Sequence, residues 1–236
     1  MSFIIAIHVQ EGLVFASDSR ITYNTTTSKE GKDTRLLGAH FTDTTYKTFL
    51  TKSNVGISTC GDASISGKPI AGYIEDFLNL HNTDDVVAIK DTIIPYFEAI
   101  YPQLDTSFIV GGYITKKDGT REQKLYRVKT AQKSIIEVET ITQGAEWAGE
   151  TDILSRLITN VYIKSGKEES FVPHVNYDIL WNYLTLQDAI DFARYAVQTT
   201  IDTMRFQKRV KTVGGPIDIL VIKPSGAQWI SRKELH

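Results

Sequence analysis

The stretch MSFIIAIHVQEGLVFASDSR, residues 1–20, decides the fold of this chain. It contains an apolar, β-rich run at 3–9 and a second at 13–17, with Gln10-Glu11-Gly12 between them. Two such runs separated by a short polar turn with a glycine are typical of a β-hairpin. The hairpin returns the chain to its starting point, so Asp18 is expected beside the N-terminus.

The second residue gives this geometry a chemical meaning. A small residue after the initiator usually permits removal of Met1, which would leave Ser2 with both a hydroxyl and a free α-amine. An α-amine has an unperturbed pKa of roughly 7.7–8.0, so it can act as the base for its own hydroxyl. The pattern therefore predicts an N-terminal nucleophile with Asp18 nearby. The alternative is that Ser2 is an ordinary second residue.

Composition excludes several classes of protein. A chain of 236 residues with 42% hydrophobic and 23% charged residues is an ordinary globular sequence with material for a large core. The net charge of −2 does not favour binding to nucleic acid or to an anionic membrane. Cys60 is the single cysteine, so no intrachain disulfide can form and a reducing compartment is expected. No apolar run is long enough for a signal or transmembrane segment, which predicts a cytoplasmic protein.

Beyond the hairpin, the chain alternates between strand-like and helix-like periodicity. Residues 21–44 are polar and rich in threonine, which predicts a long loop or an extended excursion. Thr185 and Asp188 form an expected capping box at the start of the last helix. The other strands are expected at about 45–51, 54–59, 107–114, 122–128, 134–141, 217–222 and 227–232, and the helices at about 61–82, 84–101, 147–163 and 186–205.

This order of strands and helix pairs predicts an α+β protein. Two helix pairs around two antiparallel sheets form a four-layer αββα sandwich. No internal repeat or linker interrupts the order, so residues 1–236 are expected to form one domain. The runs 3–9 and 13–17 are expected to share a sheet with strands from 45–59.

Three stretches resemble proteasome β-type subunits. GLVFASDSR at 12–20 resembles their second strand, KTFLTKSNVGISTCG at 47–61 their lysine strand and following glycine, and GPIDILVI at 215–222 their closing strand. TMR at 203–205 followed by VGGP at 213–216 is closest to the bacterial ancestral β-subunit branch. The resemblance implies the N-terminal-nucleophile hydrolase fold.

The resemblance also implies a role for four residues. Ser2 stands at the nucleophile position, where the family usually has threonine. Lys47 would favour a deprotonated amine or hydroxyl, and Asp18 would hold Lys47 charged and in place. The backbone N–H of Gly61 would donate to the oxyanion. Without the resemblance, Asp18 and Lys47 could be a surface ion pair worth about 0–1 kcal/mol, and Gly61 a turn glycine.

Further positions follow from the same resemblance. Thr59 and Ala63 are the candidate substrate-binding residues. The polar groups that support the chain end in the family fall on Gln143, Val210 and Val213. Gln143 can still form hydrogen bonds there, whereas the valine side chains cannot, so the support of the α-amine is expected to be incomplete.

Other kinds of site have little support in the sequence. Cys60 is better explained as a buried structural thiol than as an alternative nucleophile. The five histidines lack the spacing of metal ligands, and no phosphate loop or dinucleotide fingerprint occurs, so neither a metal nor a cofactor is expected.

Three functions remain open. The first is a serine-type peptidase that acts through Ser2 on peptide or amide bonds in a homo-oligomer, whose helical layers contact neighbouring subunits. The second is a catalytically inactive structural subunit of such an assembly. The third is a small-molecule amidase. The sequence does not identify an unfoldase partner.

Overall fold

The computed structural model describes residues 2–29, 32–165 and 170–234, so the state of Met1 lies outside the described residues. The helices are α1 (Ile70–His81), α2 (Val86–Ile100), α3 (Asp152–Ile158) and α4 (Leu186–Phe206), with a 3-10 helix at Trp181–Tyr183. The strands are β1 (Phe3–Val9), β2 (Gly12–Ser17), β3 (Ile21–Lys29), β4 (Lys32–Thr42), β5 (Thr48–Leu50), β6 (Gly56–Gly61), β7 (Ser64–Ile65), β8 (Lys68–Pro69), β9 (Thr106–Thr115), β10 (Arg121–Lys129), β11 (Ser134–Val138), β12 (Gly144–Gly149), β13 (Tyr162–Ser165), β14 (Ser170–Pro173), β15 (Asp218–Lys223) and β16 (Gly226–Ser231).

The first five-stranded sheet has the order β12-β1-β2-β15-β16 and is antiparallel throughout. The predicted hairpin is confirmed, since Ile4 pairs with Ser17 and the two strands are completely buried. The closing strand β15 pairs with β2, and Asp218 lies opposite Ser17. The start of β15 therefore lies beside Asp18, close to the start of β1.

The second five-stranded sheet has the order β11-β10-β9-β6-β5. The prediction that residues 45–59 extend the first sheet is wrong, because β5 pairs with β6, and β6 pairs with β9, in this second sheet. A strand's partner is fixed by pairing across the chain, and alternation of polar and apolar residues says nothing about which sheet the strand joins. The two sheets are nevertheless neighbours, since β1 and β2 contact β6.

Three apolar clusters fill the molecule. One lies between the first sheet and helices α3 and α4, another between the second sheet and helices α1 and α2, and the third between the two sheets. The third cluster includes Phe15 from β2, Ile109 from β9 and Cys60 from β6. This inter-sheet contact fixes β6 beside the beginning of β1.

Two local predictions need correction. Residues 21–44 were expected to form a long loop or an extended excursion, and the described part is extended: Ile21–Lys29 (β3) and Lys32–Thr42 (β4) form an antiparallel hairpin, in keeping with the preference of threonine for strands. The expected helix at 147–163 is limited to α3, because Trp147 and its neighbours pair with β1 as part of β12. The capping box of Thr185 and Asp188 at the start of α4 is confirmed.

The helices were compared in length and hydropathy with what a membrane-spanning helix requires. Among residues 2–29, 32–165 and 170–234, no helix is both long enough and apolar enough to span a bilayer.

Candidate active site

Asp18 is the centre of the hydrogen-bond network at the N-terminus. Its side chain is fully buried directly after β2. Oδ1 accepts from Lys47 Nζ at 2.7 Å and from the Phe3 backbone N–H at 3.0 Å. Oδ2 accepts from the backbone N–H groups of Arg20 at 3.1 Å and Gly214 at 3.0 Å. Charge-assisted bonds to both oxygens fix this carboxylate in one orientation.

Lys47 lies immediately before β5 and points from the second sheet into the first. Only 3% of the residue is exposed, and Nζ also donates to the backbone carbonyl of Arg20. Burial lowers the pKa of Lys47, and the Asp18 carboxylate opposes that shift. A buried lysine with a lowered pKa can exchange a proton more readily than an exposed one.

Ser2 is buried at the start of β1, with 6% of the residue exposed. Its carbonyl accepts a hydrogen bond of 2.8 Å from the backbone N–H of Glu150, just beyond the end of β12. Gly149 has a φ of 94°, and a Cβ there would lie 1.8 Å from the Ser2 carbonyl oxygen. Glycine at this position is therefore required for the close approach of the two chains.

A small cavity joins the predicted residues. Its volume is about 20 Å³, which is room for roughly one water molecule. Ser2 and Lys47 both line it, and Asp18 lies behind Lys47. Gly61 has a φ of 130°, which favours glycine, and a Cβ there would lie 2.3 Å from the carbonyl oxygen of Asp105. The remaining predicted residues of the cavity wall are Thr59, Gly61 and Ala63.

A larger cleft of about 490 Å³ begins where the small cavity ends. Gly61, Asp62 and Ala63 line both spaces, so the cleft opens directly onto the predicted site. The β3–β4 hairpin forms one wall through Tyr23 and Leu37. The hairpin that the sequence did not predict therefore shapes the approach to Ser2.

Gln143 does not support the chain end. It precedes β12, and the adjacent Gly144 pairs with His8 at the far end of β1. At about 3.3 Å per strand residue, this places Gln143 roughly 20 Å from Ser2. The two valines differ from each other, since Val213 is buried in the cluster beneath α4 and Val210 lines the cleft.

The sequence did not predict Glu150 and Thr212, of which Glu150 bonds to the Ser2 carbonyl through its backbone N–H. Thr212 donates from Oγ1 to Glu150 Oε1 at 2.7 Å, and Thr212 is 4% exposed. Arg209 lies 3.5 Å from Glu150 and 3.2 Å from Asp152. Glu150 and Asp152 were the available signal, but the helix predicted at 147–163 placed them in a helix instead of directly after strand β12.

Cys60 lines the small cavity without the properties of a nucleophile. Burial raises the pKa of its thiol to about 12, and the nearby Lys47 charge only partly opposes this effect. The reactive form of cysteine is the thiolate, so this thiol is expected to be inert at neutral pH.

Comparison with known proteins supports the architecture. No protein-family model and no curated protein match the chain. Among solved structures, a mutant form of Anbu from Hyphomicrobium sp. strain MC1 is 17% identical with a TM-score of 0.58, and the match covers 98% of this chain and 87% of that one. Anbu (ancestral β-subunit) from Yersinia bercovieri is 14% identical with a TM-score of 0.55, over 97% and 87% of the two chains. At these identities the likeness shows the fold: this chain has that of the ancestral proteasome β-subunit proteins.

Proposed function

We propose that this protein is a serine-type N-terminal-nucleophile hydrolase that cleaves peptide or other amide bonds through Ser2. The observation that carries the proposal is that Ser2 and Lys47 share one buried cavity, with Asp18 bonded to Lys47. A surface ion pair would not be buried in this way, so the Asp18–Lys47 pair does not fit the surface alternative.

The proposed reaction begins after removal of Met1. Ser2 Oγ attacks the carbonyl carbon of the scissile amide while its proton passes to the Ser2 α-amine, and Lys47 favours the neutral amine by its charge. The N–H of Gly61 stabilises the oxyanion, a contribution of roughly 2.7–4 kcal/mol. The C–N bond then breaks, the leaving amine takes the proton, and water hydrolyses the ester formed with Ser2.

The substrate would occupy the larger cleft. An extended chain that lies along β6 would pass Thr59, Gly61 and Ala63 with its scissile bond above the small cavity. The cleft volume of about 490 Å³ accommodates several residues of a peptide, in the size range of other ligand sites. This favours a peptide over a very small amide.

We further propose the complete architecture that the sequence predicts, one domain over residues 1–236 arranged as a four-layer αββα sandwich. The three apolar clusters support the four layers, because each fills the space between two neighbouring layers. The pairing of β15 with β2 supports a single domain, because it joins the two ends of the chain in one sheet. A cytoplasmic location is proposed because the sequence has a single cysteine, Cys60, which fits a reducing compartment.

Self-association is proposed from an apolar surface at 171–183. Phe171, Tyr177 and Tyr183 are 67%, 85% and 81% exposed. Clustered exposure of large apolar side chains marks an interaction surface, and a second copy of the chain is the proposed partner. The helical layers were expected to supply these contacts, so both surfaces enter the proposal. A monodisperse monomer in sedimentation at micromolar concentration would contradict it.

One observation favours the inactive structural subunit as a second candidate. Ser2 is 6% exposed and its cavity holds about one water molecule, so a substrate carbonyl enters only if the cavity widens. A polypeptide with the same fold could therefore serve assembly alone.

The deciding experiment is covalent labelling. Protein whose free Ser2 is verified by mass spectrometry is treated with an electrophile that reacts with both hydroxyl and amine, and the site of labelling is mapped. The proposal expects labelling at Ser2, none in Ser2→Ala, and none in protein that retains Met1. Ser170→Ala, an exposed serine on β14, is the matched control and should be labelled like the wild type. Equal background labelling of all four proteins would favour the structural subunit.

A further inference from the structure

A second buried lysine–aspartate pair lies near the first. Asp218, at the start of β15, is fully buried, and the Lys233 side chain is 5% exposed. The Lys233 ammonium contacts Asp218 Oδ2, and the Lys233 backbone N–H donates to Oδ1 at 2.8 Å. Lys233 follows the last strand, in a segment where the sequence shows no periodic pattern.

The fold holds this pair against the residues next to the candidate site. Asp218 pairs with Ser17, the residue before Asp18. Tyr46, the residue before Lys47, donates from its hydroxyl to the Lys233 carbonyl at 3.1 Å, and its ring lies 4.4 Å from Lys233 Nζ. Lys233 is therefore fixed from both sides by neighbours of the first pair.

We propose that Lys233 is a positioning residue for the candidate site, whose ammonium, held behind Asp18 and Lys47, biases Lys47 toward its neutral form. Two ammonium groups in one poorly solvated region repel each other, and the repulsion falls when one of them loses its proton. Lys47 is the group beside the cavity, so its proton is the one that matters for Ser2. The consequence for turnover rests on the proposed function.

The charges around the two lysines support this direction. Burial is the largest influence that lowers the pKa of Lys47; Asp18 and Cys60 raise it, and Lys233 lowers it further. Burial also lowers the pKa of Lys233, which Asp218 and Asp18 raise and Arg232 lowers. Asp18 thus raises the pKa of both lysines, while the positive charge of Lys233 lowers the pKa of Lys47.

The test measures the titration of Lys47 directly. Full-length protein labelled at its lysine side chains is titrated by NMR, and the Lys47 signal is assigned from its loss in Lys47→Arg. The variants are Lys233→Met, which removes the charge, and Lys233→Arg, which keeps it. Arg232→Met is the matched control, because it removes an exposed cation from the next residue, which stacks on Tyr46 and Trp229.

Lys233→Met is expected to move the Lys47 midpoint to higher pH, while Lys233→Arg and Arg232→Met leave it in place. An unchanged or lower midpoint in Lys233→Met would overturn the proposal. Should Lys233→Met fail to fold because Asp218 is left unpaired, the double variant Asp218→Asn/Lys233→Met carries the same test with the same expected direction.

The readout separates this proposal from the proposed function. If Ser2 is never labelled but the Lys47 midpoint moves, the hydrolase proposal fails and the role of Lys233 stands. If the enzyme is active, the alkaline limb of its pH–rate profile, where Lys47 loses the charge that favours the neutral Ser2 amine, should move to higher pH in Lys233→Met, a change that a merely structural role would not produce.

Discussion

The two buried lysine–aspartate pairs are alike in chemistry and different in how they are held. The carboxylate of Asp18 accepts from Lys47 and from three backbone N–H groups that belong to separate parts of the chain. Within the part of the chain that the structure describes, the carboxylate of Asp218 accepts from Lys233 alone, through its side chain and its backbone. The first pair is therefore built into the core, and the second depends on a segment that follows the last strand.

This difference separates orientation from charge. Three backbone donors hold Asp18 whatever the state of Lys47, so the carboxylate can keep its place while a proton moves nearby. Asp218 has no such set of backbone donors among the described residues, so its side chain is expected to lose its fixed orientation when Lys233 is replaced. The comparison predicts that the first pair is costly to alter and that the second can be replaced as a unit.

Asp18→Asn should have the largest effect. It leaves the buried Lys47 ammonium without its partner and turns one acceptor into a donor that faces backbone N–H groups. Breaking a buried pair from one side costs about 3–5 kcal/mol of unfolding free energy. Urea denaturation measures the loss, and Asp218→Asn is the matched control with a smaller expected loss. Equal losses would remove the distinction between the two pairs.

Gly214→Ala tests how firmly the surroundings hold one of the three backbone N–H groups that bond to Asp18. The Gly214 N–H bonds to Asp18, and a Cβ at this residue would lie 2.5 Å from the Arg20 guanidinium carbon. We expect a loss of roughly 1–3 kcal/mol from overpacking, because Arg20 is held by hydrogen bonds of 2.6 and 2.7 Å to Asp43 and can move aside only by breaking them.

Gly72→Ala is the control, because its Cβ would meet nothing within 4 Å and the residue lies in α1. There alanine should stabilise by roughly 0.5–1 kcal/mol. Thermal unfolding distinguishes a loss of stability from a gain, and a neutral Gly214→Ala would mean that Arg20 moves aside while the residue 214 N–H keeps its bond to Asp18.

The sequence predicted the first pair but not the second. Asp18 follows a strand with a clear local pattern, and Lys47 was paired with it only through the resemblance of residues 12–20 and 47–61 to proteasome β-type subunits. Lys233 has no neighbouring pattern, since its place depends on Asp218 and Tyr46 from distant parts of the chain. Long-range contacts of this kind leave no periodic signal in the sequence.

The errors in the fold and site share this cause. The placement of 45–59 in the wrong sheet and of Gln143 at the wrong end of β1 were both errors of pairing. The sequence did predict strands within 45–59 correctly in outline, since β5 and β6 lie there. Glu150 and Thr212 were missed because their contact joins the end of β12 to the segment after α4.

Replacement of the second pair as a unit should cost little. In Asp218→Asn/Lys233→Met both charges disappear together, and such replacements of buried pairs are often close to neutral in stability. Each single variant should be clearly less stable than the double variant, so the double-mutant cycle should show strong coupling. Additive losses would indicate that the two residues act independently.

The smallest expected effect concerns Cys60, which lies beside the first pair. Burial raises the pKa of its thiol from 9.0 to about 12, because the thiolate loses its hydration, and the charge of Lys47 only partly opposes this effect. The unfolded chain therefore releases this proton first, so the contribution of Cys60 is complete below pH 9.0 and is lost as pH rises toward about 12. The difference in unfolding free energy between wild type and Cys60→Ala, measured against pH, separates the contribution of Cys60 from that of the lysines.

Alkylation tests the burial of the same thiol by its rate. At about pH 8.5 the folded thiol should react far more slowly than the same thiol in denaturant. A folded protein that reacts as fast as the unfolded chain would mean that the cavity opens readily, and the burial of Ser2 would then be no obstacle to substrate.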